Sequence, residues 1–385
     1  MVREMGKDSP ISRERSRSVK RHAVLAEARR HRVVSRAQLA GFTGLSPTTV
    51  THLVRELIGE GYFRELGSGE SRGGRPMSML EFNPQADLVV IVDLHPGRIE
   101  ATLVDWDGSA AADAVHLPLG NLVADIDAAA KKFTSEHDGR VRAISVAIPG
   151  VASGASGQVS LAPAIGLIEG QPLGKLLREA TGLPVVVDND VNLIMVGEHA
   201  AGAAKDVDDI VLVHVGDGGI GAALMIDGRL RRGAAGVAGE IGFLPLGAAQ
   251  PPRDGIGAFE AQWSVRGISA MATPPLGAEP GRTVIAELEA RAGADPDARE
   301  LLETVLVAWA WAVISAVCVL DPSRVLLSGE AADISEPSLR RLRQEVARYA
   351  PGPTVIERAS LGKAALMHGA ARLAFEAYED VNAPQ

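Results

Sequence analysis

The feature that most constrains this chain is a change of hydrophobic period at Leu88. Before it, apolar residues recur at helical spacing. From Leu88-Val89-Val90-Ile91-Val92-Asp93 onward they fall into continuous runs that end in acidic or glycine-rich turns. Two patterns in 385 residues mean two architectures, with ample chain to bury a core. Charge divides at nearly the same place. Residues 1–85 hold 15 Lys and Arg against 9 Asp and Glu, a balance of +6, and the remainder carries −15. A basic head on an acidic body points the head at a polyanion, although a solvated basic arm fits the charge equally well.

A single Cys, Cys318, excludes an internal disulfide framework and argues against secretion. Met1 to Arg17 is polar and basic without an apolar segment, so it reads as a flexible arm and not as a signal peptide. The longest apolar run, Val305 to Leu320, is interrupted by Ser315 and falls short of a membrane span. It reads as a buried helix in a soluble, cytoplasmic protein.

Residues 18–84 read as a winged helix-turn-helix. Val19, Ala23 and Ala26 recur at helical spacing, and Ser35 is placed to cap a short helix through Leu39. Ser46-Pro47 opens the next, with Ser as cap and Pro where its missing N–H costs nothing. In that helix Val50, Leu53, Val54, Leu57 and Ile58 form an apolar stripe, while Thr48, Thr49, His52, Arg55 and Glu56 lie on the other face. This is the pattern of a recognition helix, whose N-terminal residues approach base edges. Ser46, Thr48, Thr49, His52 and Arg55 are therefore the candidate DNA contacts. Gly61 to Glu65 and Met77 to Phe82 read as strands around a Gly/Ser-rich tip, together a wing. Its Arg72 and Arg75 sit on a backbone slim enough for a narrow minor groove. The tip also fits an ordinary hairpin, and such a head can bind protein instead; the +6 balance favours DNA.

Residues 88–380 read as an α/β body. Ile99 to Val104 completes a hairpin, Ala143 to Ile148 ends in Pro-Gly, and Pro184 to Val187 runs into Asp188-Asn189-Asp190. Ile210 to Val215 leads to Gly216-Asp217-Gly218-Gly219-Ile220-Gly221. Strands alternating with helices, with polar residues at strand ends, mark a ligand crevice.

Taken in order, Arg36-Ala37-Gln38-Leu39-Ala40, Gly73-Gly74-Arg75-Pro76, Asp188-Asn189-Asp190-Val191-Asn192, Gly197-Glu198, Gly218-Gly219-Ile220-Gly221 and Ala238-Gly239-Glu240-Ile241-Gly242 resemble the ROK family (repressors, open reading frames, kinases). They match its repressor branch, which carries an N-terminal winged helix. The resemblance covers roughly residues 18 to 380. It implies a two-lobed, actin-like ATPase or sugar-kinase body with sugar in the cleft. It also implies that Asn189, Asp190, Glu240 and Glu260 hold sugar hydroxyls. In the family's kinases the position of Asp190 is the general base. Carboxylates and an amide are acceptor-rich partners for vicinal hydroxyls, which makes the set chemically sensible.

Three departures set the chain apart from a working kinase. The first phosphate loop reads Asp93-Leu94-His95-Pro96-Gly97-Arg98, where Pro96 removes an amide and His95 adds bulk. After Val325-Leu326-Leu327, Ser328-Gly329-Glu330 brings a carboxylate toward an anionic nucleotide. Phe243 stands where the family carries a zinc-ligating His, and no Cys lies between Gly247 and Gly257, so no metal is expected. Gly218, Gly219 and Gly221 survive as a phosphate-loop remnant, a run that fits a tight turn equally well.

These observations favour a DNA-binding transcriptional regulator, read as a repressor, that responds to a sugar bound in a non-catalytic cleft. Asp190 is then a vestigial base, with no ATP or other cofactor required. Partners would be a double-stranded operator, a sugar effector and a second copy of the chain, as homodimer or homotetramer, without membrane contact. An ATP-dependent sugar kinase that also binds DNA, and a ligand-independent regulator, are the rival readings.

Overall fold

A computed structural model describes residues 10–68, 78–137, 139–153, 156–166, 170–216, 219–245, 255–277 and 282–382. The head comprises α1 (Pro10–His31), β1 (Val33–Ser35), α2 (Arg36–Thr43), α3 (Pro47–Gly59), β2 (Phe63–Ser68) and β3 (Ser78–Phe82). Helix α1 starts at Pro10, so it takes in part of the stretch read as a flexible arm. Arg17 is tied there to Glu56 of α3 at 2.7 Å. Ser35 accepts from the Gln38 amide while Gln38 reaches back to the Ser35 amide, a capping box for α2. Ser46 accepts from the Thr49 amide and caps α3. The strands form a sheet in the order β1-β3-β2. Val24, Leu39, Val50, Val54, Leu57 and Leu80 fill the core beneath it, each essentially inaccessible. The wing tip with Arg72 and Arg75 lies outside the described residues.

The body repeats one topology twice. The first lobe has β4 (Leu88–His95), β5 (Arg98–Val104), β6 (Val115–Pro118), α4 (Leu122–Glu136), β7 (Val141–Ile148), the small pair β8 (Val151–Ser153) and β9 (Gln158–Leu161), α5 (Leu173–Thr181) and β10 (Val185–Asn189). Helix α6 (Asp190–Ala201) follows directly. The second has β11 (Ile210–Gly216), β12 (Gly219–Ile226), β13 (Arg229–Leu230), α7 (Ala258–Trp263), α8 (Val265–Met271), α9 (Val284–Ala292), α10 (Pro296–Leu320), β14 (Arg324–Gly329), α11 (Glu336–Tyr349) and β15 (Val355–Arg358). Helix α12 (Ala364–Asn382) closes the chain against the first lobe.

The sheets run β10-β7-β4-β5-β6 and β13-β12-β11-β14-β15. In each, three antiparallel strands meet two parallel ones at the first strand, so the ends of β4 and β11 both open toward the cleft. The continuous apolar runs follow from burial on both faces. Val90 and Val92 pack against α4 and α5, whereas Val89 and Ile91 pack against α12. Helix α10 is long and apolar enough to cross a membrane, yet over half of its apolar window is buried among β11, β14 and α7 to α11. That burial makes it the core helix of the second lobe.

Helix α6 lies between the sheets. Leu193 joins the α12 side of the first lobe, whereas Val191 and Met195 join the second-lobe sheet through Leu212, Ala223 and Leu326. The residues at its N-terminus therefore sit where the lobes meet.

Candidate functional site

The cleft is built on strand ends. Asn189 ends β10 and caps α6: its side-chain oxygen accepts from the Val191 and Asn192 amides at 2.9 and 3.1 Å, and its Nδ2 donates to Gly150 O. Most of its hydrogen-bonding capacity is thus spent on backbone, leaving one amide hydrogen for a ligand. Asp190 follows as the first helical residue, half-buried. Its carboxyl is pushed up to about 7 by desolvation first, then by the charges of Asp93 and Glu240.

Glu240 ends the loop that follows β13, and Glu260 lies on α7. Burial raises Glu240. Glu260 is pushed up to about 7 by desolvation, by Glu240 and, more weakly, by Asp190. Asp190, Glu240 and Glu260, predicted from three distant motifs, are thus brought into one electrostatic cluster. Asp93 belongs to it as well, a role that its reading as the start of a phosphate loop missed. Its carboxylate is 3.2 Å from His95 Nε2, and this contact holds the His95 imidazole above its usual value. A carboxyl raised toward neutrality has the proton affinity that general-base work on a hydroxyl asks for.

The glycines around the cluster have steric reasons. A Cβ on Gly219 would lie 2.7 Å from the Glu260 carboxylate, and one on Gly242 would lie 2.8 Å from it. Gly239, at φ 94°, brings its Cα so close to Ala222 O that a Cβ would sit 1.9 Å away. Gly221 lets β12 approach Val191 of α6. Two of the three phosphate-loop glycines, Gly219 and Gly221, therefore serve packing, and Gly216 pairs with Gly219 across a tight β11–β12 hairpin. Gly218 lies outside the described residues.

On the opposite side of the cleft, the ends of β11 and β14 close around His214. Half-buried His214 shares a hydrogen bond with Ser328 Oγ through Nδ1 at 3.2 Å and lies against Gly216 and Gly329 at the strand ends. A Cβ on Gly216 or Gly329 would come within 2.7 or 2.9 Å of its ring. Desolvation pushes the imidazole down to about 4, so it stays neutral and offers a phosphate no charge. Glu330, expected to face a nucleotide, instead turns its carboxylate to the N-terminus of α9 and accepts from the Ile285 amide at 2.8 Å, because that first-turn amide has no partner within the helix. The donor set for zinc does not fit. Phe243 offers no ligand atom, and the sole Cys, Cys318, is exposed on α10. The 246–254 loop lies outside the described residues.

On the head, Thr48, His52 and Arg55 are exposed on α3, and Thr49 is half-exposed. Ser46 spends its hydroxyl on the cap and on Thr49. The basic balance of the head is partly neutralised locally. Arg17 meets Glu56, Arg21 meets Glu60, Arg36 meets Glu65 and Arg64 meets Glu81. His52 also leans on Glu56 at 3.1 Å. Arg55 has no acidic partner among the described residues.

Comparison with known proteins agrees with this architecture. The ROK family model matches residues 90–377. A putative xylose repressor from Caldicellulosiruptor sp. (strain Rt8B.4) is 34% identical over 225 residues, 56% of each chain, so this chain spans about half the length of the curated relatives it matches. A crystal structure of a ROK family transcriptional regulator, a homolog of the Escherichia coli MLC protein, shares the fold over 94% of this chain and 97% of its own, with a TM-score of 0.74 at 23% identity. A ROK family glucokinase from Streptomyces griseus, solved with glucose and AMPPNP, covers 75% of this chain and 99% of its own at 27% identity and a TM-score of 0.61. At 94% coverage the regulator match extends into the head. With three quarters of its length matched, this chain belongs to the ROK family.

Proposed function

We propose that the protein is a DNA-binding transcriptional regulator, acting as a repressor, whose cleft binds a sugar or sugar derivative without phosphorylating it. One observation carries this reading: a capped recognition helix, with Arg55 exposed, stands on a body whose carboxylate cluster is assembled while its nucleotide side holds His214. Residues 18–84 act as the reader and residues 88–380 as the sensor. Asn189, Asp190, Glu240 and Glu260 take the sugar hydroxyls. Thr48, Thr49, His52 and Arg55 face base edges, with Arg72 and Arg75 in the adjacent minor groove. The name xylose repressor on a relative supports a sugar-responsive role.

Effector binding shifts a population between lobe arrangements, which changes the placement of paired heads on operator half-sites. Paired half-sites require a symmetric homodimer or homotetramer working in the cytoplasm. The test is a gel shift on the protein's own upstream region, titrated with a sugar library. Retardation that one sugar alters supports the reading; no retardation at moderate salt sinks it.

The intact carboxylate and the glucokinase match favour one rival, a sugar kinase that also binds DNA. ATP turnover with a hexose that disappears in Asp190→Ala would establish that rival. Operator binding that no sugar alters would establish a ligand-independent regulator.

A further inference from the structure

The recognition helix and the carboxylate cluster lie in different domains, and a chain of packed helices, α6, α12 and α1, runs from the cluster to α3. Helix α6 starts at Asp190, and its far end is clamped by Glu198, fully buried, which accepts from the amides of Ala203, Ser360 and Leu361 and from Ser360 Oγ. Ser360 and Leu361 lead into α12. The two helices then cross with bare backbone between them. A Cβ on Gly197 would lie 1.9 Å from Ala365 O, and one on Gly369 would lie 1.9 Å from Leu193 O. A seam this close at Gly197 and Gly369, with Leu193 packed among Leu366 and Ala370 beside it, moves as a unit or slips in a discrete step.

Helix α12 ends on the head. Glu379 pairs with Arg29 of α1 and stands 3.2 Å from His22. The Arg29 guanidinium stacks 3.6 Å over the Trp106 ring, and Trp106 packs on Phe375 of α12 at 4.5 Å. Beside it Asp87 accepts from Tyr62 Oη at 2.8 Å and from Arg142 Nε at 2.6 Å. Helix α1 in turn packs on α3 through the head core and the Arg17–Glu56 pair. The Nε of Arg29 is buried with no acceptor among the described residues, so the joint is not saturated in this arrangement.

We propose that α6 and α12 form a two-helix relay between cleft and DNA reader, with Arg29 and Glu379 as the positioning residues of its output joint. The proposal rests on the sensor-and-reader assignment above. Val191 and Met195 tie α6 to the second lobe, so a change in lobe closure moves α6 relative to the first-lobe sheet. The close seam passes that motion to α12. The Glu379–Arg29 joint then resets α1, and with it the approach of α3 to the groove.

The test is a double-mutant cycle on the full chain, with Leu193→Ala at the seam and Glu379→Gln at the joint. Leu193 lies level with Gly369, about ten helical rises or ~15 Å before Glu379 on α12, beyond the range at which substitutions normally couple. Operator affinity is measured by fluorescence anisotropy, and amide exchange in residues 18–31 supplies a DNA-free readout. Leu193→Val, a smaller deletion that still opens the seam, replaces Leu193→Ala if the latter lowers the folded population.

The relay predicts that the seam substitution shifts operator affinity about tenfold in the parent and less than about threefold in the Glu379→Gln background. Independent distant sites add to within roughly a factor of two. The exchange rates of α1 should follow the same pattern. Equal shifts in both backgrounds, or none in either, overturn the relay. A non-additive cycle in a protein whose DNA affinity ignores every sugar keeps the relay and overturns the effector reading alone. A non-additive exchange pattern in a chain that binds no duplex does the same for the reader assignment.

Discussion

Asp188 and Arg232 join the two lobes beside the cleft. The Asp188 carboxylate, fully buried on β10, accepts from Arg232 Nε at 2.9 Å and also from the Asn189 amide and Asn192 Nδ2. Arg232 belongs to the second-lobe loop that ends at Glu240, and the same loop brings Gly236 against Ala152 of the first lobe. The pair therefore holds the Glu240 loop against the Asn189–Asp190 turn.

Breaking one half of this pair should cost more than removing both. Arg232→Met leaves a buried carboxylate with no cation, a change of about 3–5 kcal/mol for a fully buried pair and less here because the guanidinium is partly solvated. Adding Asp188→Asn to Arg232→Met should recover part of the loss. Thermal unfolding of the two single variants and the double variant checks this; a double variant less stable than Arg232→Met contradicts it. Ligand affinity should fall in both, because the Glu240 loop loses its anchor.

What local sequence reveals, and what it does not, follows from the range of each interaction. The caps at Ser35 and Ser46, the apolar stripe of α3 and the β4–β5 hairpin depend on neighbours a few residues away, and each is legible. The strand β1 is three residues long and carries no period of its own; it exists because Val34 pairs with Leu80. Asp93 reads as a loop residue until the parallel pairing of β4, β7 and β10 brings it toward Asp190. Gly219 reads as a phosphate-loop glycine until α7 places Glu260 against it. Arg232 and Asp188 lie 44 positions apart with nothing in either segment to announce the other.

Asp190→Asn should stabilise the protein most at pH 8 and progressively less toward pH 5, the gain vanishing only below about pH 4. A carboxyl raised to about 7 binds protons more tightly folded than unfolded, so its penalty grows as pH rises from about 4 to about 7 and stays constant above. Asparagine removes that penalty where the carboxylate is charged and matches the neutral acid where it is not. Melting temperatures of parent and variant across pH 5–8 measure this, and a variant less stable than the parent at pH 8 contradicts the crowding of Asp93, Asp190 and Glu240.

The same shifts predict proton release on sugar binding. Hydroxyl donors favour the ionised carboxylates, so affinity should rise from pH 6 to pH 8 as Asp190 and Glu260 lose their protons. Calorimetry in two buffers of different ionisation enthalpy reads the protons directly. Affinity that falls over this range would mean that the acids donate to the ligand instead of accepting.

On the head, Arg55 and Glu56 should act in opposite directions although they are adjacent. Arg55→Ala removes an exposed cation with no acidic partner among the described residues. Its loss should cost about 1–3 kcal/mol of operator affinity and relax base preference at one position. Glu56→Gln removes the acid that neutralises Arg17 and His52, both exposed, and should raise affinity for any duplex while steepening its salt dependence. Anisotropy titrations on operator and scrambled DNA at several salt concentrations separate the two effects. A Glu56→Gln protein with the parent's salt slope would show that Arg17 and His52 do not reach phosphates, and the approach of α3 to the groove would have to be redrawn.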